Sequence, residues 1–225
     1  MIIAENCTNW RDLAEAKEMI RMAKECGAGL SKFQLFDSSD DKGKPHYAWV
    51  KAHELTYEQA KELFDYGASI GQEVFFSVFG VQYVEWCERI GVKRYKLAYG
   101  ESENLHHAKM HALDTLKPVL LSRRGLMDTN TYIPPDRRYL YCTPKYPALP
   151  TQFYLNQVSF TSFSGISDHT IGLDVAKIAL ARGAKIIEKH FCLEHNPDYP
   201  DDAWSMTPAD LKELVRFEKV VQECL

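Results

Sequence analysis

Short apolar runs rich in β-branched and aromatic residues alternate along this chain with longer runs whose apolar positions recur every three or four residues. The first kind reads as strands buried on both faces and the second as helices that cover them, which predicts a parallel sheet. Strands are expected at Ile2 to Glu5, Ser31 to Leu35, Glu73 to Phe79, Arg94 to Tyr99, Pro118 to Arg123, Tyr139 to Thr143, Gly165 to His169 and Lys185 to Phe191. Between them, Asp12 to Cys26 places Leu13, Ala16, Ile20 and Ala23 on one helical face and stops at Gly27. Thr56 to Ile70 stops at Gly71, Val81 to Ile90 at Gly91, and Leu173 to Ala181 near Gly183. Thr207-Pro-Ala-Asp210 joins a capping threonine to a proline at the first helical position, the start of a closing helix that runs to Cys224.

Eight repeats without an evident reversal of strand order predict an α/β fold, a (β/α)8 TIM-type barrel that takes in residues 1–225 as a single domain. An open doubly wound sheet is the alternative. One helix of the ring is expected to be degenerate, because Pro134-Pro135 and the polar stretch Asp128-Thr-Asn-Thr131 oppose a regular helix between Gly125 and Arg138.

With 45% hydrophobic and 26% charged residues, the 225-residue chain has enough apolar side chain for a sizeable core. Its formal charge of −4 provides no electrostatic footprint for nucleic acid or an anionic membrane. No apolar stretch approaches the ~20 residues of a transmembrane helix. The six cysteines are scattered, without a C-x-x-C pair, and the chain opens directly on a strand rather than a signal peptide. Reduced thiols in a cytoplasmic protein are therefore expected.

Parallel barrel strands all end on one rim, so their last residues converge there. These are Glu5 with Asn9 beyond it, Lys32 and Gln34, Ser77, Lys96 with Glu101 beyond it, Ser122 and Arg123, Thr143 with Lys145 and Tyr146, Ser167 to His169, and Glu188 to His190. Polar groups inside apolar strands are costly to bury unless they pair or bind something. Lys32 and Lys96 either pair with Glu5 or Glu188 as barrel-filling structure or hold an anion. His169 and His190 are either satisfied by hydrogen bonds or, carried to one rim by a β-helix-β unit, hold a divalent metal beside Asp168, Glu188 and Asp201. His106, His107 and His111 read as a solvated helix face, and His195 as a loop residue in contact with solvent. Cys142 and Cys192 read as small buried hydrophobes.

The strings Ile2-Ile-Ala-Glu5 with Asn9, Lys32-Phe-Gln34, Tyr95-Lys-Leu-Ala98 with Gly100-Glu101, Pro118-Val-Leu-Leu-Ser122, Cys142-Thr143 with Tyr146-Pro147, Ser167-Asp-His-Thr170, Glu188-Lys-His-Phe191, and Pro200-Asp201 with Ser205-Met206 run in one order across nearly the whole chain. In that order they resemble the sialic acid (N-acetylneuraminate) synthase family, phosphoenolpyruvate-dependent enzymes that make nonulosonic acids. The resemblance implies that His169 and His190 bind a divalent metal, manganese or magnesium. It also implies that Lys32, Lys96 and Ser167 hold phosphoenolpyruvate, that Gln34, Tyr146 and Asp201 face an amino-sugar acceptor, and that Glu5, Glu101 and Glu188 act as carboxylates near the reacting groups. The implied reaction attacks an open-chain aldehyde with carbon 3 of phosphoenolpyruvate, adds water at carbon 2 and releases phosphate.

Val78, Tyr99 and Pro144 stand where the family has small polar phosphate contacts. Arg123-Arg124 replaces a threonine-glycine turn, and there arginine, beside Ser122, has the geometry to take an anion in bidentate fashion. The family's small C-terminal antifreeze-like domain is expected to be absent, leaving a homodimer or a separate partner subunit as the expected assemblies. These departures keep two other functions open: a sugar-acid or metal-binding barrel without synthase activity, and a metal-dependent aldolase or lyase.

Overall fold

A computed structural model of the chain describes residues 1–103, 114–125 and 133–224. Its strands are β1 Ile2–Glu5, β2 Leu30–Leu35, β3 Val74–Val78, β4 Tyr95–Leu97, β5 Val119–Arg123, β6 Arg137–Cys142, β7 Gly165–Asp168 and β8 Ile186–His190. Each lies parallel to the next, and β1 closes on β8 with Glu5 in register with His190. That last pairing excludes the open sheet and makes the fold a (β/α)8 TIM-type barrel.

The helices are α1 Leu13–Glu25, α2 Tyr47–Ala52, α3 Tyr57–Ile70, α4 Val81–Ile90, α5 Tyr99–Glu103, α6 Asp174–Ala181 and α7 Pro208–Cys224. The stops at Gly71 and Gly91 and the cap at Thr207 are those read from the sequence, and the structure adds caps at Asp12 and Thr56. Asp12 accepts from the Glu15 amide, Thr56 and Gln59 form a reciprocal capping box, and Gly71 and Gly91 close α3 and α4 in the left-handed conformation. Thr207 and Asp210 exchange hydrogen bonds at the head of α7.

Three features differ from the sequence reading. The strand expected over Arg94 to Tyr99 ends at Leu97, and Tyr99 opens the short helix α5. The short helix α2 was not expected, since six residues are too few to show a hydrophobic period. The β6 to β7 crossover has two 3-10 turns, Pro150–Gln152 and Leu155–Gln157, instead of an α-helix. Pro144, Pro147 and Pro150 explain it, because proline removes an amide donor and clashes with the preceding turn. In the stretch expected to be degenerate, residues 133–136 are not helical, while residues 126–132 lie outside the described residues. His106, His107 and His111 lie outside them too.

Side chains alternate across each strand, so every second residue enters the barrel. Ile3, Leu30, Phe75, Leu120, Leu140 and Ile186 form a closed apolar cluster inside it. Two residues further along the same six strands stand Glu5, Lys32, Ser77, Ser122, Cys142 and Glu188. The interior is therefore an apolar plug beneath a polar layer. The alternate residues, among them Ala4, Phe33, Phe76, Val78, Leu97, Leu121 and Ile187, pack outward against the helices in the larger core. Burying each large apolar side chain there contributes roughly 1.5–3 kcal/mol before chain entropy is set against it. The site rests on a plugged floor.

Candidate active site at the carboxyl rim

Lys32 and Lys96 are each only 2% exposed, so both ammonium groups depend on protein partners. The Lys32 ammonium contacts the Glu5 carboxylate, donates to Ser77 Oγ at 2.7 Å and lies 3.6 Å from Glu188 Oε2. The Lys96 ammonium donates to Ser122 Oγ at 2.7 Å and lies 3.4 Å from Glu188 Oε1, which also accepts from Ser167 Oγ at 2.9 Å. Glu188, on β8, thus sits between two cations contributed by β2 and β4.

Burial pushes the Lys32 ammonium down to about 7, with Lys96 adding to the effect and Glu188 opposing it. Burial acts to raise the Glu188 carboxyl, but the Lys32 and Lys96 charges and the Ser167 hydroxyl outweigh it and hold the group well below the usual carboxylate range. A carboxylate fixed in its charged form between two lysines is a preorganised electrostatic layer.

One step nearer solvent are His169 and His190, 7% and 6% exposed, with ring centroids 5.6 Å apart. Burial lowers His169 to about 4, despite the Thr143 carbonyl that accepts from Nδ1 at 3.3 Å. Burial, then the charges of His169 and the nearby lysines, hold His190 well below its ordinary value. Both imidazoles are neutral, the form that ligates metals. In His169 the Nδ1–H bond to the Thr143 carbonyl leaves the Nε2 lone pair available.

His190 Nδ1 is buried without a hydrogen-bond partner and lies 3.5 Å from Asp201 Oδ2. The sulfur of Cys7, a ring nitrogen of His190 and a carboxylate oxygen of Asp201 all lie within 4.8 Å of one another. An orphaned buried nitrogen next to a carboxylate, with a second neutral imidazole nearby, is a donor set that a divalent cation satisfies. These residues fit a metal.

The rim encloses a cavity of about 680 Å³. Glu5, Lys32, Gln34, Lys96, Ser122, Tyr146, Ser167, His169, Glu188, His190 and Asp201 all line it, as do Tyr99 and Pro144. Tyr146, 54% exposed, packs against the His169 ring at 4.3 Å between centroids, and Trp204 lies 6.1 Å from the His190 ring. Glu101 lies instead in an adjoining pocket of about 440 Å³, which shares Cys7, Gln34 and Asp201 with the main one.

Strand parity accounts for the residues that do not join the site. Arg123 follows the inward Ser122 and is not part of the cavity wall, and Val78 follows the inward Ser77 and packs in the barrel-to-helix core. Asp168, between inward Ser167 and rim His169, lies 3.2 Å from Lys189 Nζ and accepts from Thr170. It serves a buried ion pair behind the strand and does not orient the imidazoles. His195 is largely exposed and meets Asp202 at 3.0 Å, and Cys192 is buried, in keeping with their sequence readings.

Cys7, His46, Phe79 and Trp204 line the cavity without having been singled out in the sequence. Cys7 and Phe79 continue the inward parity of Glu5 and Ser77 by two residues, a signal that was there to read. His46 and Trp204 arrive from long loops, where no periodicity points.

The NeuB family model matches residues 19–225. Human N-acetylneuraminate-9-phosphate synthase is 31% identical over 255 aligned positions, which take in all of this chain and 70% of the human protein. The N,N'-diacetyllegionaminic acid synthase of Legionella pneumophila is 30% identical over 250 positions, taking in 96% of this chain and 70% of that protein. The crystal structure of the sialic acid synthetase of Leptospira borgpetersenii in complex with citrate superposes with a TM-score of 0.87 and 26% identity, over 99% of this chain and 84% of that one.

Proposed function

The chain belongs to the NeuB family, and on that premise we propose that it condenses phosphoenolpyruvate, or a related enol or keto acid, with a sugar aldehyde to give a nonulosonic-type acid. The observation that carries the reading is the buried pair Lys32 and Lys96 around Glu188, one inward step below two neutral histidines in a single cavity. A multiply charged anion is the ligand that rewards two buried ammonium groups, and an aldehyde oxygen is the group that benefits from a cation above them.

In this reading Lys32, Lys96, Ser122 and Ser167 hold the phosphate and carboxylate of the enol donor. Gln34, Tyr146 and Asp201 orient the amino-sugar acceptor, and Glu5 and Glu188, which line the cavity where Glu101 does not, keep negative charge beside the reacting groups. A divalent ion at His169 and His190, manganese or magnesium by family resemblance, supplies Lewis-acid polarisation of the aldehyde when bound. Carbon 3 of the donor forms the new bond to the aldehyde carbon while the aldehyde oxygen takes up a proton. Water adds at carbon 2, and phosphate departs with its bridging oxygen.

All six cysteines are free thiols, which supports action in the reducing cytoplasm. No helix among the described residues is long and apolar enough to cross a membrane.

Tyr99 and Pro144 on the cavity wall favour a second reading, a barrel that binds a sugar acid and a metal without turnover. One assay separates the two. Protein is incubated with manganese, phosphoenolpyruvate and a panel of N-acetylated hexosamines, and released phosphate and product mass are followed. Product with stoichiometric phosphate, lost in His169→Ala and in His190→Ala, is expected. Absence of turnover together with flat calorimetry for phosphoenolpyruvate overturns the synthase reading.

A further inference from the structure

We propose that Cys7 is a protein donor, with His190 and Asp201, to the divalent ion of this cavity, which gives the chain a preference for a thiolate-binding ion such as zinc over magnesium. The inference rests on the metal reading above and goes beyond its two histidines. Three observations point to it.

The first is distance. Cys7, His190 and Asp201 present sulfur, nitrogen and oxygen within 4.8 Å of one another. Ligands around one tetrahedral ion stand roughly 3.3–3.7 Å apart, given metal–ligand bonds of about 2.0–2.3 Å. His190 Nδ1 and Asp201 Oδ2 are already 3.5 Å apart.

The second is an unmet valence. His190 is 6% exposed and its Nδ1 has no hydrogen-bond partner, so the nitrogen facing Asp201 is buried and unsatisfied. Such atoms are rare in folded proteins, and an ion is one of the few things that explain them.

The third is the way the thiol is held. Cys7 has φ of 43°, a left-handed conformation that a residue with a Cβ adopts at a cost and that gathers at functional sites. Its amide donates to Glu5 Oε1 at 2.9 Å and its carbonyl accepts from Trp10 Nε1 at 2.9 Å, so the loop after β1 is clamped on both sides of the residue. Asn9 then ties that loop to the loop after β8, donating to the Phe191 carbonyl at 3.1 Å and to Ser205 Oγ at 2.9 Å. Ser205 Oγ donates in turn to the Asp201 carbonyl at 2.7 Å. The two loops that bring Cys7 and Asp201 to His190 are thus locked together.

Chemistry sets the preference. Thiolate donors favour borderline ions such as zinc or cobalt, whereas magnesium takes oxygen ligands and keeps its waters. Binding releases the thiol proton to solvent and forms one sulfur–metal bond, with no change in oxidation state.

The test uses chelator-treated full-length protein reloaded with cobalt(II). Wild type is expected to show a thiolate-to-cobalt charge-transfer band in the near ultraviolet. The band should vanish in Cys7→Ser and persist in Cys192→Ser, which reports on the neighbouring group of Cys192, His195 and Asp202. Zinc affinity should fall about 100-fold or more in Cys7→Ser, with magnesium affinity little changed. If Cys7→Ser does not fold, wild type still decides: zinc, but not magnesium, should protect Cys7 from alkylation, read by peptide mass spectrometry. Cobalt that binds without the band, or alkylation of Cys7 unaffected by zinc, overturns the role of Cys7 and leaves the histidine site standing. Failure of every divalent ion to bind overturns the metal reading itself.

Discussion

His169 and His190 are neutral in the folded protein because burial lowers the first to about 4 and the second well below its ordinary 6.5. The unfolded chain therefore binds more protons than the folded one between those values, and stability rises with pH. The contribution is fully present above about pH 6.5 and is lost as pH falls toward the folded values. Between pH 5 and 7, His169 alone accounts for about 2 kcal/mol, with His190 of the same sign. Glu188, held below the usual carboxylate range, loses its contribution at lower pH and stays outside this window. Urea unfolding at pH 5, 6 and 7 is expected to show the slope in wild type and a shallower one in His169→Asn. A flat wild-type profile would refute neutral burial. The histidine pair and both lysines were legible in the sequence as polar interruptions of apolar strands. Their partners were not: that Glu188 stands between Lys32 and Lys96 depends on three strands far apart in the chain.

At the scale of elements, parity decides which side chains serve the site. Reading only that a strand ends in polar residues groups Ser122 with Arg123, yet alternation sends them to opposite faces. The same rule takes Val78 out of the cavity and places Ser77 in it. Strand starts and helix stops were readable because they depend on neighbours a few residues away, whereas the proline-broken crossover after β6 shows local chemistry overriding the repeat. Gly165 shows the reverse dependence. A Cβ there would come within 1.7 Å of the Ile186 carbonyl oxygen on β8, so β7 can approach its neighbour only as glycine. Gly165→Ala is expected to cost more than about 3 kcal/mol, because two paired strands must separate to admit one methyl group. Chemical denaturation measures it, and a loss under 1 kcal/mol would mean that the strands do not approach so closely.

For the molecule as a whole, the β1 to β8 pairing makes the rim continuous, so an ion held by loops after different strands binds the folded barrel and not the unfolded chain. A divalent ion at about 100 times its Kd then stabilises by about 2.7 kcal/mol, which for a chain of this length raises Tm by roughly 5–10 °C. A thermal melt with and without manganese or zinc checks this, and the shift should disappear in the His169→Ala/His190→Ala double variant. A shift that survives there would place the ion elsewhere. By itself the sequence determined the eight strands, the helices after β1, β2, β3, β7 and β8, and the polar residues that reach one rim, because each follows from periodicities of two and 3.6 residues within one segment. The tertiary structure alone decided which of those residues meet. Closure of the sheet sets Glu188 against both lysines, brings Cys7 and Asp201 to His190, and leaves Glu101 in the side pocket, because such contacts depend on strand register and loop path across nearly the whole chain.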